Sequence, residues 1–343
     1  MIRIHLDEVT LARTRIAISQ LLEMIRGLEI LHRHPTAVPW PYTEWAQNAA
    51  EVLRTVPETA PLRLYGDLYG TDHGRPTPDV FSPIPEEALP DLAAELERLR
   101  HTPPARLGEQ VEKHYPEGAP GFLHPYLRDP EGAFGRLADA FATFWDRAVA
   151  PYWPAMRTAL DEEVLLRARR LAAEGADALL LEVHGPEVWQ APVLNFPRRN
   201  KESFLVAVDQ RLLLIPLIFA ENITMISTDH PQIQSVSYQA RGAARLASRP
   251  AMTGSRRPDR PDRLAVLLGP TRATLLRALS RPATTTGLAD ELGLAPSTVS
   301  EQLAGLLTAG VVQRRRSGRR VLYELESAGV KLLSLMDASG DGG

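Results

Sequence analysis

The hydrophobic pattern of the first two hundred residues is mostly helical. After a short alternating start, apolar residues recur at helical spacing from Ile18 to Leu31. A proline-rich stretch then ends this pattern, and turn residues crowd positions 60–90. Helical spacing resumes over 87–102, 132–153 and 161–183. We therefore expect a large N-terminal domain built mainly of helices.

From Val188 onward the pattern changes to short β-type runs. "VWQAPVLNF", "SFLVAVD", "RLLLIPLIFA", "ITMIST" and "QSVSYQA" are separated by turn residues. These runs predict a small antiparallel sheet that completes a domain over residues 1–240. Residues 241–263 are rich in Arg, Pro, Ser and Gly with few apolar residues, which predicts a linker.

The remaining residues, 264–338, predict a second domain of three helices, a hairpin and a last helix. "LAVLLGPTRATLLRALS" (264–280) has the pattern of one helix. A short helix, a turn at Gly293 and a second helix near Pro296 follow, which is the order of a helix-turn-helix. Two alternating runs, 311–315 and 319–325, meet around Ser317 and Gly318 as a hairpin. The predicted fold class is mainly α with small antiparallel β elements, ending in a winged helix-turn-helix.

The second helix of this motif presents a polar face. If Val299, Leu303, Leu306 and Leu307 point inward, the outward residues on its first turns are Ser297, Thr298, Ser300, Glu301 and Gln302. Gln bonds adenine bidentately, Ser and Thr bond bases or phosphates, and Glu accepts from cytosine. We therefore expect this face to enter the major groove of double-stranded DNA. The alternative is an ordinary polar surface on which Glu301 is salt-bridged.

Positive charge is concentrated in the hairpin, although the whole chain has a formal net charge of -3. Residues 255–326 hold twelve arginines against seven acids. The hairpin residues that we expect to contact phosphate or the minor groove are Arg314, Arg315, Arg316, Ser317, Arg319 and Arg320. On charge alone the hairpin could also be merely solvated; the helix that precedes it favours DNA contact.

"LADELGLAPSTVSEQLAGLLTAGVV" followed by "RRSGRRVLYEL" resembles the recognition helix and wing of ArsR-type winged-helix repressors. The resemblance covers about 75 residues. Segments 11–28, 78–85 and 99–107 are similar to recurring parts of the poorly understood N-terminal domain of the larger members. Many members have His where this chain has Glu301 or Gln302, which leaves the base preference open.

Metal chemistry and catalysis find little support in the sequence. The metal-sensing members of the family use cysteines, or acids and histidines on the last helix, whereas this chain has no cysteine and no histidine there. The only close histidine pair is His32 and His34, and no HExxH, GxSxG, P-loop or Rossmann pattern occurs. Acids 161–163 are explained by a helix N-terminus. We expect no metal, no cofactor and no catalytic residue.

The N-terminal domain is far larger than a DNA reader needs. Its aromatic residues have the spacing of a core, or alternatively of a ligand pocket. The N-terminus has charges where a signal peptide needs apolar residues, and the longest apolar run, 212–220, is too short to cross a bilayer, so we expect a cytoplasmic protein that does not enter membranes.

The main hypothesis is a homodimeric transcriptional repressor that binds an inverted-repeat operator and is released by a small-molecule effector. The alternative is an enzyme in the N-terminal domain, with the winged helix as tether or autoregulator.

Overall fold

The computed structural model describes residues 2–69, 77–196, 203–221, 223–227, 229–247, 263–292, 294–317 and 320–337. The chain divides into two compact units, Met1–Ala240 and Arg241–Gly343. The fold class is confirmed: the protein is mainly helical with small sheets and ends in a helix-turn-helix unit. Within the stretch predicted as a linker, Ala243–Ala247 form a short 3-10 helix, and residues 248–262 lie outside the described residues.

Helices make up most of the N-terminal unit. They are α1 (Glu8–Ala12), α2 (Gln20–Arg33), α3 (Thr43–Thr55), α4 (Leu64–Tyr69), α5 (Leu92–Arg100), α6 (Pro104–His114), α7 (His124–Arg128), α8 (Pro130–Phe144) and α9 (Trp153–His184). Helix α2 is central, because residues 21–30 are all buried. It begins where the Ser19 hydroxyl accepts a hydrogen bond of 3.0 Å from the Leu22 amide, which satisfies a free donor of the first turn.

Helix α9 differs from the continuous helix that the sequence predicts. It begins at Trp153, so acids 161–163 lie inside it rather than at its N-terminus. At Gly175 the backbone leaves helical geometry, with φ 82° and ψ −180°. The chain then turns back far enough for Arg167 to pair with Glu182, which a straight helix would hold about 22 Å away along its axis.

Two four-stranded sheets accompany these helices. The strands are β1 (Ile2–Leu6), β2 (Arg15–Ile16), β3 (Trp189–Gln190), β4 (Val193–Phe196), β5 (Ser203–Ala207), β6 (Arg211–Leu217), β7 (Ile226–Ser227) and β8 (Ile233–Gln239). Their orders are β3-β4-β1-β5 and β2-β6-β8-β7.

The prediction of one antiparallel sheet is wrong. Strand β1 pairs antiparallel with β4 but parallel with β5, and β6 pairs parallel with both β2 and β8. The reason is that β1 and β2 come from the start of the chain and join strands almost two hundred residues later. Parallel pairing needs a connection of about a dozen residues or more, which residues 218–232 also provide between β6 and β8, whereas the spacing of neighbouring runs suggests only hairpins. Both sheets share a core with the second segment of α9, where Leu179 and Leu180 are fully buried.

The C-terminal unit is a winged helix-turn-helix. Its elements are α10 (Arg263–Leu268), α11 (Pro270–Ala278), α12 (Thr285–Leu292), α13 (Pro296–Thr308), β9 (Val312–Ser317), β10 (Arg320–Leu325) and α14 (Ser327–Asp337). The prediction of one helix over 264–280 is wrong, because the chain breaks between α10 and α11 at Gly269, with φ 82°. Pro270 then occupies the first turn of α11, where its missing backbone donor costs nothing.

None of the described helices is long and apolar enough to cross a membrane.

Candidate nucleic-acid interface

Helix α13 is fixed by its buried side. Val299, Leu303 and Leu306 are buried, as the sequence predicts, while Leu307 is only half-buried. They pack with α11 and α12 in the interior of the unit. The amide of Leu294 donates a 3.0 Å hydrogen bond to the carbonyl of Ala289, which closes the turn between α12 and α13. Gly293, predicted in this turn, lies outside the described residues.

The opposite side of α13 is polar and open. Ser297, Ser300 and Glu301 are exposed, and Thr298 and Gln302 are half-buried. Glu301 has no ion-pair partner among the residues that the structure describes, so a salt bridge does not account for it. Such a face, on the helix after the turn, has the position from which base edges are read in the major groove.

Gln302 is held by a residue that the sequence did not indicate. Nε of Arg272, on α11, donates a 3.0 Å hydrogen bond to Oε1 of Gln302. Arg272 is exposed and precedes its partner by thirty residues. An arginine and a glutamine thirty residues apart form no recognisable sequence motif. Only the packing of α11 against α13 brings these two side chains together.

The hairpin forms the wing. Its register pairs Ser317 with Arg320, Arg315 with Leu322 and Arg314 with Tyr323. Ser317, predicted in the turn, is therefore the last residue of β9, and Gly318 and Arg319 lie outside the described residues. Two backbone hydrogen bonds between Ala283 and Tyr323, 2.8 and 2.9 Å long, tie β10 to the segment before α12.

The arginines of β9, Arg314, Arg315 and Arg316, are exposed, and they divide between the two faces of the hairpin. Arg314 and Arg316 lie on one face, since alternate residues of a strand share a face. Arg315 lies on the other face, where its Nε is 3.7 Å from Oε1 of Glu324. The guanidinium groups thus project on both sides of the wing, and the strand that carries them, β9, contacts α13 within the same unit.

Two buried carboxylates of the N-terminal unit bind backbone amides. Glu23 accepts hydrogen bonds from the amides of Ile218 (2.7 Å) and Phe219 (3.0 Å), and Glu95 accepts from the amide of Leu21 (3.0 Å). Burial raises the pKa of both carboxyl groups to about 7, against the lowering by these donors. Both carboxylates have a structural role, because each joins two segments of the fold through its hydrogen bonds.

The histidines of this unit are dispersed. Nδ1 of His32 lies 2.7 Å from the carbonyl of Leu28, and Nε2 of His34 lies 2.9 Å from Glu221. His114 pairs with Asp229 at 2.7 Å. Among the described residues, no three His, Asp or Glu side chains are grouped so as to hold a metal ion. His73 lies outside the described residues.

The acids and aromatic residues considered as site candidates are also engaged elsewhere. Glu163 is buried and accepts a 2.6 Å hydrogen bond from Nε of Arg167. Trp45 is fully buried, its ring centroid lies 4.2 Å from that of Phe219, and its Nε1 donates to the carbonyl of Ala148. Phe141 and Phe144 are fully buried as well, which confirms the core interpretation for these rings.

Comparison with known protein families agrees with this geometry. Residues 269–314 match the family described as "Bacterial regulatory protein, arsR family". The matched segment runs from the start of α11 through α13 to Arg314 in the wing. Neither a curated protein nor a solved structure matches the chain significantly.

Proposed function

Since the chain carries an ArsR-family helix-turn-helix and is a DNA-binding transcriptional regulator, we propose that it acts in the cytoplasm as a homodimeric repressor that a small-molecule effector releases from DNA. One observation carries the proposal: the open polar face of α13 and the arginines of the wing belong to one small unit. The helix supplies base contacts, and the wing supplies phosphate contacts.

The homodimer is supported by an apolar surface on the C-terminal unit. Val266 and Leu267 of α10 are 74% and 57% exposed, and Leu335 of α14 is 67% exposed. The two helices contact each other, and Nη1 of Arg263 donates to the carbonyl of Leu335. Exposed apolar residues on adjoining helices favour a protein partner over water. When a second copy of the chain packs against this surface about a twofold axis, the same apolar surface of each copy is covered by the other.

A twofold dimer fixes the form of the operator. Two symmetry-related copies of α13 reach successive major grooves on one side of the duplex. The operator is then an inverted repeat whose half-sites lie about one helical turn, roughly 10 base pairs, apart.

The N-terminal unit is proposed as the sensor, with a regulatory rather than a catalytic role. It holds an open pocket of about 420 Å³, lined by residues that include Arg15, Glu86, Arg211 and Leu213. This volume lies in the range of small-molecule sites. We propose that the effector binds more tightly to a form of the dimer in which the spacing of the two recognition helices does not match the operator. Binding then shifts the population toward that form and lowers the affinity for DNA.

Genome-wide mapping of the sites bound by the full chain tests the proposal. The expected result is an inverted repeat under the bound sites, together with increased transcription of neighbouring genes when the regulator is deleted. Binding of the purified chain to that repeat should weaken steeply with salt. The double variant Arg314→Ala and Arg316→Ala should lower the log–log slope by about 0.9 for each phosphate that it no longer neutralises. A slope unchanged by the double variant would contradict the assignment of the wing.

A further inference from the structure

The hydrogen bond between Arg272 and Gln302 determines which end of the glutamine amide faces away from α11. Nε of an arginine is only a donor, so the carboxamide atom 3.0 Å from it must be the oxygen. The amide nitrogen of Gln302, with its two donors, therefore points away from Arg272. Gln302 is half-buried on the same helix turn as the exposed Ser300 and Glu301.

This orientation matters because glutamine reads different bases with its two ends. Bidentate recognition of adenine needs both ends, the oxygen to accept from N6 and the nitrogen to donate to N7. Guanine presents only acceptors, N7 and O6, in the major groove. The oxygen keeps a second lone pair, but Arg272 fixes it toward α11, so the end of the amide that faces away from α11 carries only donors, and these match guanine better than adenine.

The packing leaves room for the guanidinium at one specific point. A Cβ atom added at Gly305, one turn after Gln302, would lie 3.3 Å from Nη2 and 3.6 Å from Nε of Arg272. The guanidinium thus lies against the α13 backbone where glycine leaves space. No carboxylate of the described residues pairs with Arg272, so Gln302 is its hydrogen-bond partner in this part of the chain.

We propose that Arg272 is a positioning residue for sequence recognition, which holds Gln302 as a hydrogen-bond donor and so directs it to guanine rather than adenine. The proposal rests on the proposed function, since it concerns how the same interface chooses its operator. Arg272 acts through Gln302 and not by reading a base itself.

Selection of full-length protein on randomised double-stranded DNA tests the proposal. The variant Gln302→Ala identifies the base pair that residue 302 reads, as the position where preference disappears. At that position the wild-type chain should prefer guanine. Arg272→Met should free the amide oxygen and shift the guanine-to-adenine ratio toward adenine by at least about fivefold, the lower end of one bidentate contact. The other operator positions should keep their preferences.

Two further variants control the experiment. Arg128→Met removes one positive charge from an exposed site on α7, in the N-terminal unit, and should leave the base profile unchanged. Gly305→Ala keeps Arg272 but displaces its guanidinium by a few tenths of an ångström, and it should shift the profile in the same direction as Arg272→Met, by less. Since alanine favours helices, this variant retains the fold if Arg272→Met does not.

The outcomes distinguish a failure of this inference from a failure of the proposed function. If Arg272→Met or, where that variant fails to fold, Gly305→Ala lowers affinity uniformly and leaves the base profile unchanged, Arg272 does not position Gln302 and the inference is overturned. A profile unchanged by Gln302→Ala overturns it as well. A wild-type chain that enriches no sequence overturns the proposed function itself, and with it this inference.

Discussion

Arg315 and Glu324 face each other across the wing, with Nε of the arginine 3.7 Å from Oε1 of the acid. The same oxygen accepts a 3.2 Å hydrogen bond from Gln313, the residue directly opposite Glu324 in the hairpin. One of the wing arginines is therefore partly neutralised within the free protein. A DNA phosphate that binds Arg315 must compete with a carboxylate that is already in place.

Replacing that acid should strengthen DNA binding without changing its specificity. Glu324→Gln keeps the hydrogen bond to Gln313 but removes the charge that holds Arg315. Exposed ion pairs of this kind are weak, so we expect affinity to rise by no more than about fivefold, and equally for operator and random duplexes. Fluorescence anisotropy with both labelled duplexes measures it. Glu326→Gln, which removes an acid without a described arginine partner, is the control, and an equal effect of both variants would contradict a specific role of the pair.

The apolar surface of α10 and α14 gives a prediction about assembly. Leu335→Glu places a charge in a surface that is 67% exposed in the single chain, so the fold should tolerate it while a twofold interface should not. Sedimentation velocity should find the wild type at twice the chain mass of 37.9 kDa and the variant at that mass. Leu165→Glu, at an exposed leucine of α9, is the matched control and should remain dimeric. Dimers of Leu335→Glu would place the interface elsewhere.

Glu95 makes the stability of the protein depend on pH. Burial raises the pKa of its carboxyl from the ordinary value of 4.5 to about 7. The folded state therefore holds the proton more tightly than the unfolded state, and this contribution is complete below about pH 4.5 and is lost as pH rises through 7. Each pH unit in that window costs about 1.4 kcal/mol.

The variant Glu95→Gln should lack this slope. Relative to the variant, the wild type should lose about 2–3 kcal/mol of unfolding free energy between pH 5 and pH 8. Chemical denaturation at a series of pH values measures the difference. Glu23, whose pKa burial also raises to about 7, titrates in both proteins and cancels. Parallel pH curves for the two proteins would show that Glu95 does not carry the dependence.

The helix-turn-helix was predictable because its information is local. The buried positions Val299, Leu303 and Leu306 follow helical spacing, and the two strands of the wing are neighbours in the chain. In contrast, the pairing of Arg272 with Gln302 depends on how two helices pack, and no periodicity reports it. The parallel pairing of β1 with β5 was missed for a similar reason, since two strands so far apart in the chain carry no shared turn signal.

Glycines were the least predictable residues, because the same residue has opposite effects in two backbone conformations. Gly269 and Gly175 both stand inside apolar patterns of helical period, and both break the helix with φ of 82°. Gly108, in contrast, lies within the regular helix α6. Sequence spacing treats all three alike, whereas φ distinguishes them.

This difference gives opposite predictions for the same substitution. In a continuous helix, Gly175→Ala would stabilise the protein by up to about 1 kcal/mol. At φ 82° and ψ −180°, a region that essentially only glycine adopts, alanine should instead destabilise it by about 1–3 kcal/mol. No atom lies within 4 Å of the added Cβ, so the effect comes from the backbone alone. Gly108→Ala, equally free of contacts but helical, should stabilise the protein. Urea denaturation of both variants decides the matter, and a stabilising Gly175→Ala would mean that α9 runs straight through this position and that Arg167 does not meet Glu182.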